Sequence, residues 1–539
     1  MDEDDRLPDS GTRWMVAWAL VSVVVCVGVA LGPLEGIPHV QDEVVYQLQA
    51  RLLSEGRLWE DARLPRAAFH YDFITNSDGR RYGVFPNGWP AVLAIGTVLG
   101  VPWLVNPLLQ GLTVWLGARL TRRLAGADAG WLAAPVLSLA PALVWQGASR
   151  MSHTLCAALA AGALLCFARG PSPGRAALVG ACLAGLLVTR PLDGVVVGVV
   201  LGAWAVLRRE VRPWLPVVGG VAVGVGLVLA QNLMYEGSIW TFPQHAWFGR
   251  GEPTFPSQVF QFTTECNALG FGEGRGCVPT FGSLGHTPLK ALRTAGLNAW
   301  LTRTAWFGLP PIALLLLGAL TERRARRLLA LGTVLWLALA GVYALYWYGG
   351  ACLGPRFHHA AAPLVLAALA AGTVAVLARL RVRREAGLLL LLPLGLTLAR
   401  SLDELSGHWG VDDRLDAIEA EWTGGPVLML VAYGPDYLTP AGLDQTTDGL
   451  IQTYSAVQRR GMWLERRGGD IEYAEYQPSL VKATMARYPG RPIRLLVLTS
   501  DPARDRILEV PRLGVVQEDD LLLPAVPPAV DDGSVVPRR

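Results

Sequence analysis

Long apolar runs separated by short basic gaps organise most of this chain. From Trp14 to Gly32 nearly every position is apolar, enough to cross a hydrocarbon core of about 30 Å as a helix. Comparable runs recur to about residue 400. They predict spans near 14–32, 102–118, 130–148, 152–168, 175–189, 192–207, 214–232, 299–320, 328–347, 359–378 and 386–400, about 11 in all. The runs 175–189 and 192–207 are short and read as a helical hairpin turning at Thr189-Arg190-Pro191. The basic gaps hold Arg119, Arg122 and Arg123; Arg208, Arg209 and Arg212; Arg323, Arg324, Arg326 and Arg327; and Arg379, Arg381, Arg383 and Arg384. The positive-inside rule puts all four in the cytoplasm. The N-terminus is then cytoplasmic and the C-terminal region outside. The acidic start, Met1 to Asp5, is no basic n-region, so the first span is expected to be an uncleaved anchor.

Two outer loops are long, near 33–101 and 233–298. The first opens with Asp42-Glu43 and an amphipathic stretch, Val44 to Leu53. It ends in Phe85-Pro86-Asn87-Gly88-Trp89-Pro90, which suits a turn at the membrane interface, and Ala91 to Leu99 is expected to dip into lipid. The second is rich in aromatics, Gly and Pro, with little helical period. From about 401 charges return. Val427 to Val431 and Ile493 to Leu498 read as buried strands, Asp412 to Trp422 and Leu450 to Arg466 as helices. The expected architecture is mainly α: a polytopic membrane helical bundle over 1–400 that includes both outer loops, then a small extramembrane α/β domain over 401–539.

Composition agrees. The 539 residues are 52% hydrophobic and 17% charged, with mean hydropathy +0.35, against about 25% charged in soluble domains. A net charge of +3 is too small to suggest a nucleic-acid partner. Cys26, Cys156, Cys166 and Cys182 lie in predicted spans as small core residues, whereas Cys266 and Cys277 share the second outer loop, where a disulfide is chemically open, with Cys352 a third outer cysteine.

Candidate chemistry gathers on the outer side. Charge near lipid is expensive and marks sites, which singles out Asp42 and Glu43. The plainer account is a first-turn acid stabilising a helix N-terminus. Arg150, Arg190 and Arg356 each sit in a short outer turn, where the positive-inside rule disfavours them. A guanidinium fork suits phosphate, although each Arg could instead cap backbone carbonyls or meet headgroups. His286, near the eighth span, and His153 could meet a phosphate or a metal. A divalent metal held by Asp42, Glu43 and one His stays open, since no spacing demands it.

The ordered set resembles a family. A first span, an outer loop opening with Asp42-Glu43, an amphipathic helix and the Phe85 to Pro90 turn resemble the GT-C glycosyltransferases, in particular the protein O-mannosyltransferase and lipid A aminoarabinose-transferase branch. Ser152-His153, Thr189-Arg190-Pro191, Gln231-Asn232 through Glu236-Gly237-Ser238, and Gly354-Pro355-Arg356 extend the likeness over roughly 14–400. The resemblance implies a multi-pass enzyme of the inner (plasma) membrane. It would transfer a sugar from a polyprenyl-phosphate-sugar donor, drawn from the membrane lipids, to an acceptor on the outer face. Asp42 takes the family's role of base or acceptor-orienting acid, with Glu43 its partner. The second outer turn departs from the family by offering Arg150 and His153 and no carboxylate. Two rivals remain: a transporter or lipid-linked-saccharide flippase, which should show internal repeats that are not seen, and a non-enzymatic assembly or sensor protein working through its C-terminal domain.

Overall fold

The computed structural model describes residues 10–249, 287–306, 312–346, 353–405, 411–433, 471–476, 478–488, 490–498, 503 and 505–509. His286, Cys266, Cys277, Cys352 and the helix expected over 450–466 lie outside the described residues.

The chain divides into two compact units. The first comprises residues 1–60, 73–75 and 80–412. Its helices, in order, are α1 (Ser10–Leu31), α2 (Gln41–Ser54), α3 (Gly88–Val98), α4 (Val105–Ala125), α5 (Ala127–Leu139), α6 (Pro141–Ala148), α7 (His153–Ala168), α8 (Pro173–Thr189), α9 (Pro191–Leu207) and α10 (Val217–Glu236). There follow α11 (Pro243–Gly249), α12 (Pro288–Leu301), α13 (Ile312–Thr321), α14 (Arg323–Tyr343), α15 (Ala362–Arg379) and α16 (Leu391–Leu405).

Among the described residues, five helices have the length and hydropathy to cross a membrane: α1, α10, α14, α15 with the 3-10 turn Arg356–Ala361 before it, and Arg384–Leu402. The bent pair α5 and α6, with 55° between its halves, makes a sixth. The break falls at Pro141, which starts α6 and cannot continue the helix before it. The predicted spans 152–168, 175–189 and 192–207 form α7, α8 and α9, of 16, 17 and 17 residues. At 1.5 Å per residue these reach only about 25 Å. The run 299–320 is divided between α12 and α13, and the sequence between them holds Pro310-Pro311. Ala91 to Val98 falls on α3, an apolar helix of 11 residues with Leu99 as its C-cap.

The centre of this unit is α15, packed by α4, α5, α13 and α14. With the turn before it, it is the most deeply buried of the candidate spans. Its Ala-rich sequence allows close approach, and a Cβ on Gly318 of α13 would strike the backbone of Gly372. Small residues of this kind let helix backbones touch where lipid gives no hydrophobic drive to pack. The same crossing joins α8 and α10 at Gly180 and Gly220. Burying α15 carries the 3-10 turn at its head, with four polar or aromatic side chains, into the interior.

The second unit comprises 61–72, 76–79 and 413–539, so it draws two stretches from the first long loop. Strands Val427–Tyr433, Ile471–Glu475, Ile493–Leu498 and Arg506–Glu509 form one sheet. The first lies parallel between the second and third, with Leu430 opposite both Ala474 and Leu495, and the fourth runs antiparallel at an edge. Helices Arg414–Glu421 and Val481–Arg487 belong to this unit. Leu428, Leu430, Leu495 and Val497 pack on one sheet face against Ala68 and Phe69.

Candidate active site

The site lies in the first unit and starts at the head of α2. Val40 is the N-cap, which puts Asp42 and Glu43 at the second and third helical positions. Glu43 folds back. Its Oε2 accepts from the backbone N–H of His39 at 2.7 Å and of Val40 at 3.0 Å, the reach-back half of a capping box. Its Oε1 accepts from the N–H of Arg150 at 2.5 Å. The carboxylate is buried and committed to three amides. It clamps α2 to the turn between α6 and α7.

That turn is held from other sides too. Asn106 of α4 donates to the carbonyls of Ser149 at 2.6 Å and Met151 at 2.8 Å, and Trp89 donates to that of Arg150 at 2.8 Å. Tyr46 lies 3.3 Å from the Ser152 hydroxyl. Burial, then the charge of Asp42, pushes the Tyr46 phenol up, so it stays a neutral hydrogen-bonding group. The Arg150 guanidinium donates to the Gly36 carbonyl, which is the carbonyl-capping geometry.

The turn from Phe85 to Pro90 is pinned by amide side chains. Gln49 donates to the Phe85 carbonyl at 2.7 Å and to Asn87 Oδ1 at 2.8 Å, and Gln231 of α10 accepts from the Asn87 N–H at 3.0 Å. Gly88 is required by close approach: a Cβ there would lie 2.6 Å from the Val188 carbonyl and the Thr189 hydroxyl. The first loop therefore seats directly on the end of α8, beside Arg190.

Asp42 points away from the clamp. Among the described residues its hydrogen-bond partner is Arg356, with Nη1 to Oδ2 at 3.1 Å. Arg356 opens the 3-10 turn and is 4% exposed. Gly354, at φ +85°, turns the chain before it, and Gln146 donates to the Leu353 carbonyl at 3.0 Å.

Arg190 sits between α8 and α9 and meets Arg356 through one ring. The guanidinium carbons of Arg190 and Arg356 lie 5.2 Å and 5.3 Å from the centre of Phe357. Such contacts let an aromatic face hold cations without adding a counter-charge. The Tyr343 ring stacks on Phe357 at 4.5 Å, and the His153 ring is 6.4 Å away. Arg190 donates to the Tyr343 hydroxyl at 2.8 Å, and that hydroxyl donates to Asp193 at 2.6 Å. Asp193 in turn faces Arg190 Nε at 3.5 Å.

The structure thus brings together Asp42, Arg356, Arg190 and His153. Glu43 and Arg150 stand beside them in the clamp, and His286 is not described. Sequence reading missed Phe357, Tyr343 and Asp193. Asp193 carried a usable signal, a carboxylate three residues after Arg190 inside an apolar run. Phe357 and Tyr343 carried none. Among the described residues, no group of three or more His, Cys, Asp or Glu side chains is placed to hold a metal ion.

No protein-family model and no curated protein matches the chain. Solved structures do. Apo ArnT from Cupriavidus metallidurans is similar over 91% of this chain and 93% of its own, at 15% identity and TM-score 0.49. The same protein bound to undecaprenyl phosphate matches 90% and 93%, at 14% identity and TM-score 0.47. The Archaeoglobus fulgidus oligosaccharyltransferase in complex with Zn and sulfate matches 77% of this chain and 60% of its own, at 15% identity and TM-score 0.45. Both proteins belong to the GT-C superfamily that the sequence motifs resemble.

Proposed function

We propose that this protein is a membrane glycosyltransferase. It moves a sugar from a polyprenyl-phosphate-sugar donor to an acceptor hydroxyl on the outer face of the plasma membrane. The observation that carries this is the Asp42–Arg356 ion pair, with Arg190 on the same Phe357 ring. Two guanidiniums suit a phosphodiester, and a carboxylate touching one of them is placed to take a proton beside it.

In the reaction, Arg356 and Arg190 accept the donor phosphate. The acceptor oxygen attacks the anomeric carbon opposite the phosphate, and its proton passes to Asp42. The bond from the anomeric carbon to the phosphate oxygen breaks, and the electron pair leaves on polyprenyl phosphate. The cations stabilise the charge that grows there, and the anomeric centre inverts. Glu43 acts by holding α2, and Asp193 with Tyr343 by orienting Arg190. Arg150 ties the clamp to the first loop.

The test is release of polyprenyl phosphate from radiolabelled polyprenyl-phosphate-sugars by the purified protein in proteoliposomes, with a panel of hydroxyl acceptors. Wild type should cleave at least one donor, and the Asp42→Asn variant should not. Movement of the intact donor between leaflets without cleavage would replace this reading with the flippase.

A further inference from the structure

Around the two guanidiniums lie buried polar atoms with nothing to bond. His153 is 1% exposed, and neither of its ring nitrogens has a hydrogen-bond partner. His359 is 2% exposed with Nε2 unpartnered, and the buried Thr189 hydroxyl is unpartnered as well. Buried polar atoms are almost always satisfied, so orphans clustered in one place call for a missing ligand or water.

Their placement is not scattered. His359 stands three residues after Arg356 in a 3-10 turn, where positions three apart share one side. The 3-10 turn that holds His359 packs against α7, the helix that His153 opens. His153 faces the Phe357 ring that carries the two cations. His358, between Phe357 and His359 in the same turn, also has two unpartnered ring nitrogens, but its ring stacks away on Trp336 at 4.4 Å.

We infer that His153 and His359 form the subsite for the hydroxyls of the donor's sugar. This rests on the proposed glycosyltransferase reading and goes further, dividing the donor between two sets of residues. The phosphate belongs to the cations. A neutral imidazole offers one N–H donor and one acceptor, which matches sugar hydroxyls that also donate and accept. A sugar bonded to the phosphate must lie within one bond of the group the cations hold. A site built to hydrogen-bond hydroxyls also rejects ligands that lack them, because its own polar atoms are then left bare.

Binding of two probes to the full-length protein tests this. One is decaprenyl phosphate. The other is a set of decaprenyl phosphates carrying mannose, glucose, galactose or arabinose. Wild type should bind at least one sugar lipid more tightly than the bare phosphate. The His153→Ala and His359→Ala variants should each lose about tenfold on that sugar lipid, the scale of one good hydrogen bond, while binding decaprenyl phosphate as wild type does. His153→Gln, which keeps a donor and an acceptor, should recover part of the loss and serves if the Ala variants do not fold. Equal losses on both probes would mean a structural or water-filled cluster and overturn the inference. So would a wild type that binds no sugar lipid better than the bare phosphate. Wild type that binds neither kind of probe would instead remove the donor-site reading itself.

Discussion

Replacing Glu43 by Gln separates two acids that stand next to each other in the chain. Glu43 accepts three backbone N–H bonds and is 2% exposed. A glutamine keeps one oxygen. If that oxygen stays with His39 and Val40, the amide nitrogen faces the Arg150 N–H, donor against donor. If it turns the other way, two N–H groups are lost. At least one charge-assisted bond therefore becomes an unpaired buried amide, at about 2–3 kcal/mol. Glu43→Ala loses all three and should cost about 5 kcal/mol or more, a large part of the 5–15 kcal/mol typical of a folded domain. Asp42→Asn keeps a carbonyl for Arg356, so its loss of stability should be smaller. The assay is the unfolding midpoint in one detergent for all three variants, alongside donor cleavage. Glu43→Gln should lower the midpoint and retain cleavage at temperatures where it stays folded. Asp42→Asn should keep most of the midpoint and abolish cleavage. A Glu43→Gln variant with the wild-type midpoint but no turnover would refute the clamp and make Glu43 a chemical partner of Asp42.

Arg356→Ala should weaken binding of decaprenyl phosphate, with Arg356→Lys recovering only part because the planar fork is lost; unchanged affinity in both would move the phosphate away from Arg356. Tyr343→Phe and Asp193→Asn should raise KM for the donor more than they lower kcat, since they free Arg190 without touching the base, and steady-state kinetics would expose the opposite split. Gly88→Ala should reduce donor affinity by pushing the first loop off Val188 and Thr189; the same substitution at Gly219, where an added Cβ meets nothing within 4 Å, is the control. Reporter fusions after Arg123 and Arg327 should report cytoplasm and one after Arg400 the exterior, and any other pattern would change the proposed topology.

Much of the helical organisation was legible because apolar runs and basic gaps are long, repeated signals. The bend inside the run 130–148 was not, because the length of an apolar sequence does not say where a proline breaks a helix, as at Pro141. The pairing of Asp42 with Arg356 was foreshadowed only as residues on one predicted face. What chose Arg356 over Arg150 was the route of each turn: Gly354 swings one guanidinium to the acid, and the Gly36 carbonyl captures the other. Two neighbouring carboxylates looked alike in sequence and differ in structure because Glu43, one residue further into the helix, can reach back to the N-cap amides. Phe357 is silent in sequence, since an aromatic residue beside an apolar span is ordinary. The share of residues 61–72 in the second unit is likewise set by long-range packing, through Phe69, and by no local pattern.

The proposed base and its principal cation are locked to each other. Under the proposed chemistry, one guanidinium is wanted by two anions, the resting carboxylate and the incoming phosphate. The two claims compete, so arrival of the donor is also the event that unlocks the acid. Before that moment Arg356 holds one oxygen of Asp42, and afterwards the donor is already seated. A contact of 3.1 Å would thus set an order of arrivals, lipid first and acceptor second, and spare the cell from hydrolysing a scarce activated sugar.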